Sequence, residues 1–280
     1  MISSLSAPQP LRGTLERAHG LLEAPRVGPD GAVHYTDILG GGAWRVEGDG
    51  EPATVVPKRR GVGGQLPHSD GGWVLSGRTV IHSRDGENRE LLSVEGVQGF
   101  NDMTTGPDGS VYAGALRFHP FAGEDPVPGE VWRIDPDGSS AVAAEGIDWC
   151  NGIGLAPDGG RMYVSDTAHG VIRAFDPATG GGEVFASPGR GAVDGLAVDE
   201  EGGVWVALGD AGIARFDAGG ELDGFAEVPS SFTSSLCFGG ADLRDVYITT
   251  GDNRVNPDLG GAVFRARSEL AGLALTPARV

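Results

Sequence analysis

Residues 150–167 read CNGIGLAPDGGRMYVSDT. The second half is a turn over Ala156–Gly160 followed by a β-rich run from Arg161 to Val164. Glycine beside aspartate supplies the backbone freedom that such a tight turn needs. The first half is less ordinary. A polar Asn151 and a glycine stand at the head of an apolar segment that should be entering a core.

The same unit recurs along the chain. GPDGAVHYTDI (28–38), SDGGWVLSG (69–77), GPDGSVYAGAL (106–116), DEEGGVWVALGD (199–210) and GGADLRDVYITTGD (239–252) each place a turn before a β-rich run. Each is followed by a second run, such as GAWRVEGDG (42–50) or GVIRAFDPATG (170–180). The turn glycines are Gly31, Gly71, Gly109, Gly159 and Gly202, with a sixth turn near Leu243. Their spacing, about 38 to 50 residues, is that of a four-stranded propeller blade. One blade cannot bury both of its faces, whereas six packed radially can, with their edges protected. The chain is therefore predicted to be all-β, a six-bladed β-propeller. Residues 1–10 are expected as an N-terminal tail and residues 11–280 as a single domain, with the N-terminal segment available to add a strand to the last blade.

Composition agrees. The 280 residues include 49 glycines and 18 prolines but keep an ordinary apolar fraction of 39%, which suits a folded chain with many tight turns. A net charge of −18 argues against nucleic acid or an anionic membrane surface as partner and leaves a small molecule as the expected one. No stretch long and apolar enough to span a bilayer occurs, and the first twenty residues lack the apolar core of a signal peptide. Cys150 and Cys237 are far apart and form no disulfide framework, so a reducing, cytoplasmic location is expected.

Asn151 is explained by counting. It lies eight residues before Gly159, and the same offset leads from Gly31 to Glu23, from Gly109 to Asn101 and from Gly202 to Asp194. Equal offsets are equivalent places in the blades, here the start of the innermost strand. The four side chains should then converge on one mouth of the central channel, with the small residues Gly63 and Ser235 in the other two blades. Asn-Gly and Asp-Gly are turn signals in their own right, but that reading accounts neither for Glu23-Ala24 nor for Asn101-Asp102. Two carboxylates and two carboxamides at one buried point call for a cation. An oxygen-only donor set suits a hard ion, Ca²⁺ first, then Mg²⁺ or Mn²⁺, with Zn²⁺ as a further alternative.

LLEAP (21–25), FNDMTTGPDGSVYAG (100–114), NGIGLAPDGGRMYVSDT (151–167), VDGLAVDEEGGVWVA (193–207) and TSSLCFGG (233–240) together resemble the SMP-30/gluconolactonase/LRE family over nearly the whole chain. The resemblance implies one divalent cation in the channel of a six-bladed propeller. It implies Glu23, Asn151 and Asp194 as direct ligands, Asn101 as a fourth ligand or a contact to substrate and water, and Asp194 as candidate general base. It also implies hydrolysis of lactones or related esters. The sequence departs from the family around the ring, with Gly99-Phe100 and Met103 beside Asn101 and with Ala24-Pro25-Arg26-Val27 after Glu23. These departures suggest an altered substrate wall, away from a sugar-acid lactone.

Topology suggests the rest of that wall. The loop after the second strand of each blade returns to the metal side, and the longest is LRFHPFAGEDPVPG (116–129). Arg117, His119, Asp102, Met103 and Trp149 are thus candidate substrate contacts. Asp37, Asp166, His169, Asp252 and Arg254 hold the equivalent places elsewhere. Two other readings stay open: a metal-dependent isomerase, cyclase or epoxide-opening enzyme, and a non-catalytic propeller with a structural cation.

Overall fold

The computed structural model describes residues 2, 4–17, 19–251 and 260–280. Its strands form six four-stranded antiparallel sheets. The innermost strands are Leu22–Val27, Gln65–Pro67, Gly99–Thr105, Cys150–Leu155, Leu196–Val198 and Thr233–Gly239, in blades one to six. The fold is the predicted six-bladed β-propeller. Helix is confined to Arg12–Leu15 and a 3-10 turn at Pro120–Ala122 among the described residues.

The turns that set the repeat in the sequence also set it in space. Gly31, Gly71, Gly109, Gly159 and Gly202 all take left-handed backbone angles, with φ from 70 to 89°. The sixth turn does the same without glycine, because Leu243 adopts φ 55°. In each of the six turns this residue donates its N–H to the carbonyl three residues earlier.

The N-terminal segment closes the ring. Gln9 and Pro10 pair with Arg265 and Phe264 and form the outer strand of blade six. The last blade thus joins an N-terminal strand to three strands from residues 233–267. Six apolar clusters then fill the six interfaces between blades. Blades two and three, for example, meet through Leu66, Val74, Phe100 and Met103, and blades five and six through Trp205, Ile213, Leu236 and Ile248. Alternating side chains on twisted strands explain this arrangement, since each sheet has two faces to bury.

The segment after the last blade runs across the face opposite the one where Glu23, Asn101, Asn151 and Asp194 head their strands. Leu273 donates to the Val198 carbonyl, Ala278 to Pro67 and Arg279 to Gly109. The Val280 carbonyl accepts from Arg89, at 2.8 Å, and lies 2.9 Å from His68 Nε2. No helix among the described residues is long and apolar enough to cross a membrane.

Candidate metal centre and active site

Backbone irregularity places the ring residues. In blades one, three and four the pairing of the inner strand with its neighbour shifts register, between Glu23 and Arg26, between Phe100 and Met103, and between Cys150 and Ile153. Such bulges re-aim side chains that a regular strand would alternate between its two faces. Asp194 stands just ahead of its strand, held by its N–H to the Ala207 carbonyl at 2.9 Å. In blade one the bulge carries strain, because Ala24 has φ 49°, a conformation normally left to glycine.

Close contact between neighbouring inner strands draws the ring together. Gly152 donates to the Asp194 carbonyl, and a Cβ at Gly152 would lie 2.7 Å from that oxygen. A Cβ at Gly63 would strike Asn101 Oδ1, and one at Gly195 would lie 2.7 Å from the Ser235 Cα. The small residues expected in the ring are therefore what lets the polar ones approach. Gln65 reaches the Ala24 carbonyl at 2.8 Å, and Ser234 reaches the Leu22 carbonyl at 2.5 Å, completing the circuit.

The donor set fits a hard cation. Glu23, Asn151 and Asp194 are all buried. Burial pushes both carboxyls well above their ordinary range, and neighbouring charge adds to this: Asp194 and Asp102 act on Glu23, and Asp102 acts on Asp194. Hydrogen bonding from Asn151 offsets part of the rise at Asp194. Asp194 Oδ1 is buried without a partner. The amide nitrogens are anchored on protein, Asn101 Nδ2 on the Cys150 carbonyl at 3.1 Å and Asn151 Nδ2 on Thr167 Oγ1 at 3.3 Å. That leaves the amide oxygens as the atoms to offer an ion. The described residues contain no group of three His, Cys, Asp or Glu side chains placed to share one, so the amides are needed to complete the shell.

Other predicted residues lie in several places. Asp102 is buried below the ring and pairs with Arg26 at 3.2 Å across the channel. Trp149 packs edge-on against Phe118, with ring centroids 5.3 Å apart, and so ties the long loop to the strand that carries Asn151. His119 is exposed in that loop, its backbone N–H bonded to Glu124. Arg117 is bound in a bidentate pair to Glu130, at 2.9 and 2.5 Å, rather than brought to the ring. Asp37 holds the backbone N–H groups of Gly20 and Gly40. Asp166 is fully buried, 3.1 Å from His169. Asp252 and Arg254 lie outside the described residues.

Met103 does not line the mouth. It is fully buried between blades two and three, because the bulge after Phe100 turns it into that interface. Phe100 is buried in the same cluster. Arg26 and Val27 face the opposite end of the channel, where they line a cavity. Most of the sequence departures that suggested an altered substrate wall are therefore not in the wall. Arg26 itself had no periodic signal; its partners, Asp102 and the Met103 carbonyl, are about eighty positions away. Thr167, which supports Asn151 and donates to the Val193 carbonyl, had only its place after Asp166 to mark it.

The protein is thus a six-bladed β-propeller with carboxyl and amide side chains gathered at one mouth of its axis. The chain belongs to the SMP-30/Gluconolactonase/LRE-like family, whose profile matches residues 21–252. It is 33% identical over 200 residues to a pentonolactonase from Haloferax volcanii, covering 65% of this chain and 67% of that one. It is 30% identical over 265 residues to a 6-deoxy-6-sulfogluconolactonase from Pseudomonas putida, covering 86% and 89%. Its fold is similar to that of a calcium-binding regucalcin from Agrobacterium tumefaciens, with a TM-score of 0.83 over 99% of this chain and 98% of that one, at 22% identity.

Proposed function

We propose that this protein is a divalent-metal-dependent lactonase, with the ring as its active site. The observation that carries the reading is the buried, unpartnered Oδ1 of Asp194 facing a second buried carboxylate, Glu23. Two such groups are costly without a counter-charge, and the relatives at 30% identity or above are named as lactonases. Glu23, Asn151 and Asp194, with Asn101 as the fourth donor, would hold the ion, Ca²⁺ first. When bound, it supplies positive charge that polarises a lactone carbonyl and acidifies water.

The chain's own residues supply the remaining requirements. Asp194, whose Oδ1 is buried without a protein partner, accepts the proton of the attacking water as general base. Asn101, pinned to the Cys150 carbonyl, orients the carbonyl or the water. Trp149, two residues before Asn151 and backed by the buried Phe118, offers an apolar surface for the substrate body. Hydroxide adds to the carbonyl carbon, the acyl C–O bond breaks, and a proton passes to the departing ring oxygen. The product is the open hydroxy acid, heavier by one water. Because Met103 and Arg26 face away from the mouth, sugar-derived lactones head the panel of substrates.

The test is a screen of sugar lactones, simple lactones and esters against chelated protein reloaded with Ca²⁺, Mg²⁺, Mn²⁺ or Zn²⁺, with products weighed by mass spectrometry. Metal-dependent formation of a product one water heavier, lost in Asp194→Asn, is expected. An isomeric product would overturn hydrolysis, and inertness with every ion would overturn the enzyme reading.

A further inference from the structure

The channel has a second end, and it is chemically unlike the first. Arg26 and Asp102 cross it below the ring. Beyond them lies a cavity of about 380 Å³. Its walls are the far halves of the inner strands, including Ile153, Leu155, Leu196, Val198, Leu236 and Phe238. Residues 273–276 of the crossing C-terminal segment complete it. The volume is at the small end of the range for ligand sites, and the mainly apolar lining is characteristic of them.

Two lining side chains, Arg26 and Thr105, are each only 5% exposed. Each leaves one buried polar atom without a protein partner: Nε of Arg26 and Oγ1 of Thr105. Both atoms are closed off in this structure, so a ligand meets them by a small side-chain rotation; unmet donors at an apolar enclosure are unfavourable and select for a molecule that brings an acceptor. The acceptor should be neutral. Arg26 is already paired with Asp102, whose own Oδ2 is buried and unpartnered, so an anion would find no uncompensated positive charge. A polyhydroxy sugar would likewise find too few polar partners on these walls. Access exists beside the crossing segment, whose residues 274 and 275 are exposed and whose backbone is anchored at Gly272–Leu273 and Ala278–Arg279.

We propose that this cavity is a second binding site, for a small neutral molecule with an apolar body and one carbonyl-type hydrogen-bond acceptor. It is separate from the metal mouth and stands whether or not the ring hydrolyses lactones. The probe is acetophenone, with ethylbenzene as a molecule of similar shape that lacks the acceptor, titrated into methyl-labelled full-length protein and followed by NMR. Saturable shifts of the Ile153 and Leu236 methyls are expected with acetophenone, and binding about two- to tenfold weaker with ethylbenzene. Thr105→Val should narrow that gap. Filling the space by Ala274→Trp, or from the wall by Ala156→Phe, should abolish saturable binding; having two fillers guards against misfolding of either. Glu23→Gln should leave binding unchanged. The proposal is overturned by no saturable shift up to the solubility limit, as for a cavity holding water alone. It is overturned equally by shifts confined to ring residues, by equal affinity for the two probes, or by binding retained in a folded filled variant.

Discussion

Replacing Asp194 by asparagine tests the ring directly, because it removes one charge and almost no volume. Without metal, Asp194 and Glu23 are two buried carboxyls that each raise the cost of ionising there. Removing one should leave chelated protein at neutral pH as stable as the unaltered chain, or more so. With metal the order should reverse. An ion at a hundred times its dissociation constant stabilises a folded protein by about 2.7 kcal/mol. For a chain of 280 residues the unfolding entropy is roughly 0.6 kcal/mol per degree, so the melting temperature should rise by about 4 to 5 °C. A hundredfold loss of affinity in the variant would leave about 0.4 kcal/mol at the same ion concentration, a rise of under about 1 °C. Lactone turnover should fall by about 10²- to 10⁴-fold, the usual contribution of a positioned base. Scanning calorimetry in chelator and with each of the four ions reads the crossing. If the two melting curves keep the same order in both conditions, or the variant retains the full metal-induced rise, Asp194 does not face a cation.

Three further outcomes follow from the same geometry. In chelated protein, the raised folded-state values of Glu23 and Asp194 mean that the native state binds more protons than the unfolded one. Their stabilising contribution is therefore full below the ordinary carboxylate range and is lost as pH rises through the folded values. The stability of the unaltered chain relative to the Glu23→Gln, Asp194→Asn double variant, measured by urea unfolding, should fall over that window, and saturating metal should cancel the trend. Arg26→Met strands the buried Asp102 carboxyl and should cost about 3 to 5 kcal/mol, whereas adding Asp102→Asn should restore much of it; additive losses would disprove the pairing. Gly152→Ala forces a methyl within 2.7 Å of the Asp194 carbonyl; it should cost about 1 to 3 kcal/mol in denaturant and weaken metal-induced stabilisation as the two blades part.

The architecture was legible because a propeller repeats a local unit. Each blade announces itself through a left-handed turn and two short β-rich runs, and even the sixth turn, with Leu243 where the others have glycine, kept its place. The places of Glu23, Asn101, Asn151 and Asp194 at the heads of the inner strands were legible for the same reason, since one offset from the turn picks them out. Direction was not. Met103 lies two residues beyond Asn101, yet a register shift sends it into the interface between blades two and three. Arg117, on the expected loop, is captured by Glu130.

By itself, then, the order of residues determined the number of blades and which polar residues open the inner strands, because these depend on short-range periods and equal spacings. Tertiary structure alone decided that Arg26 meets Asp102 across the axis and that the C-terminal segment makes an apolar cavity at the far mouth. Those contacts join residues from 76 to more than 200 positions apart. They exist only once radial packing has closed the circle, and no local pattern in the chain records which side chains such closure brings face to face.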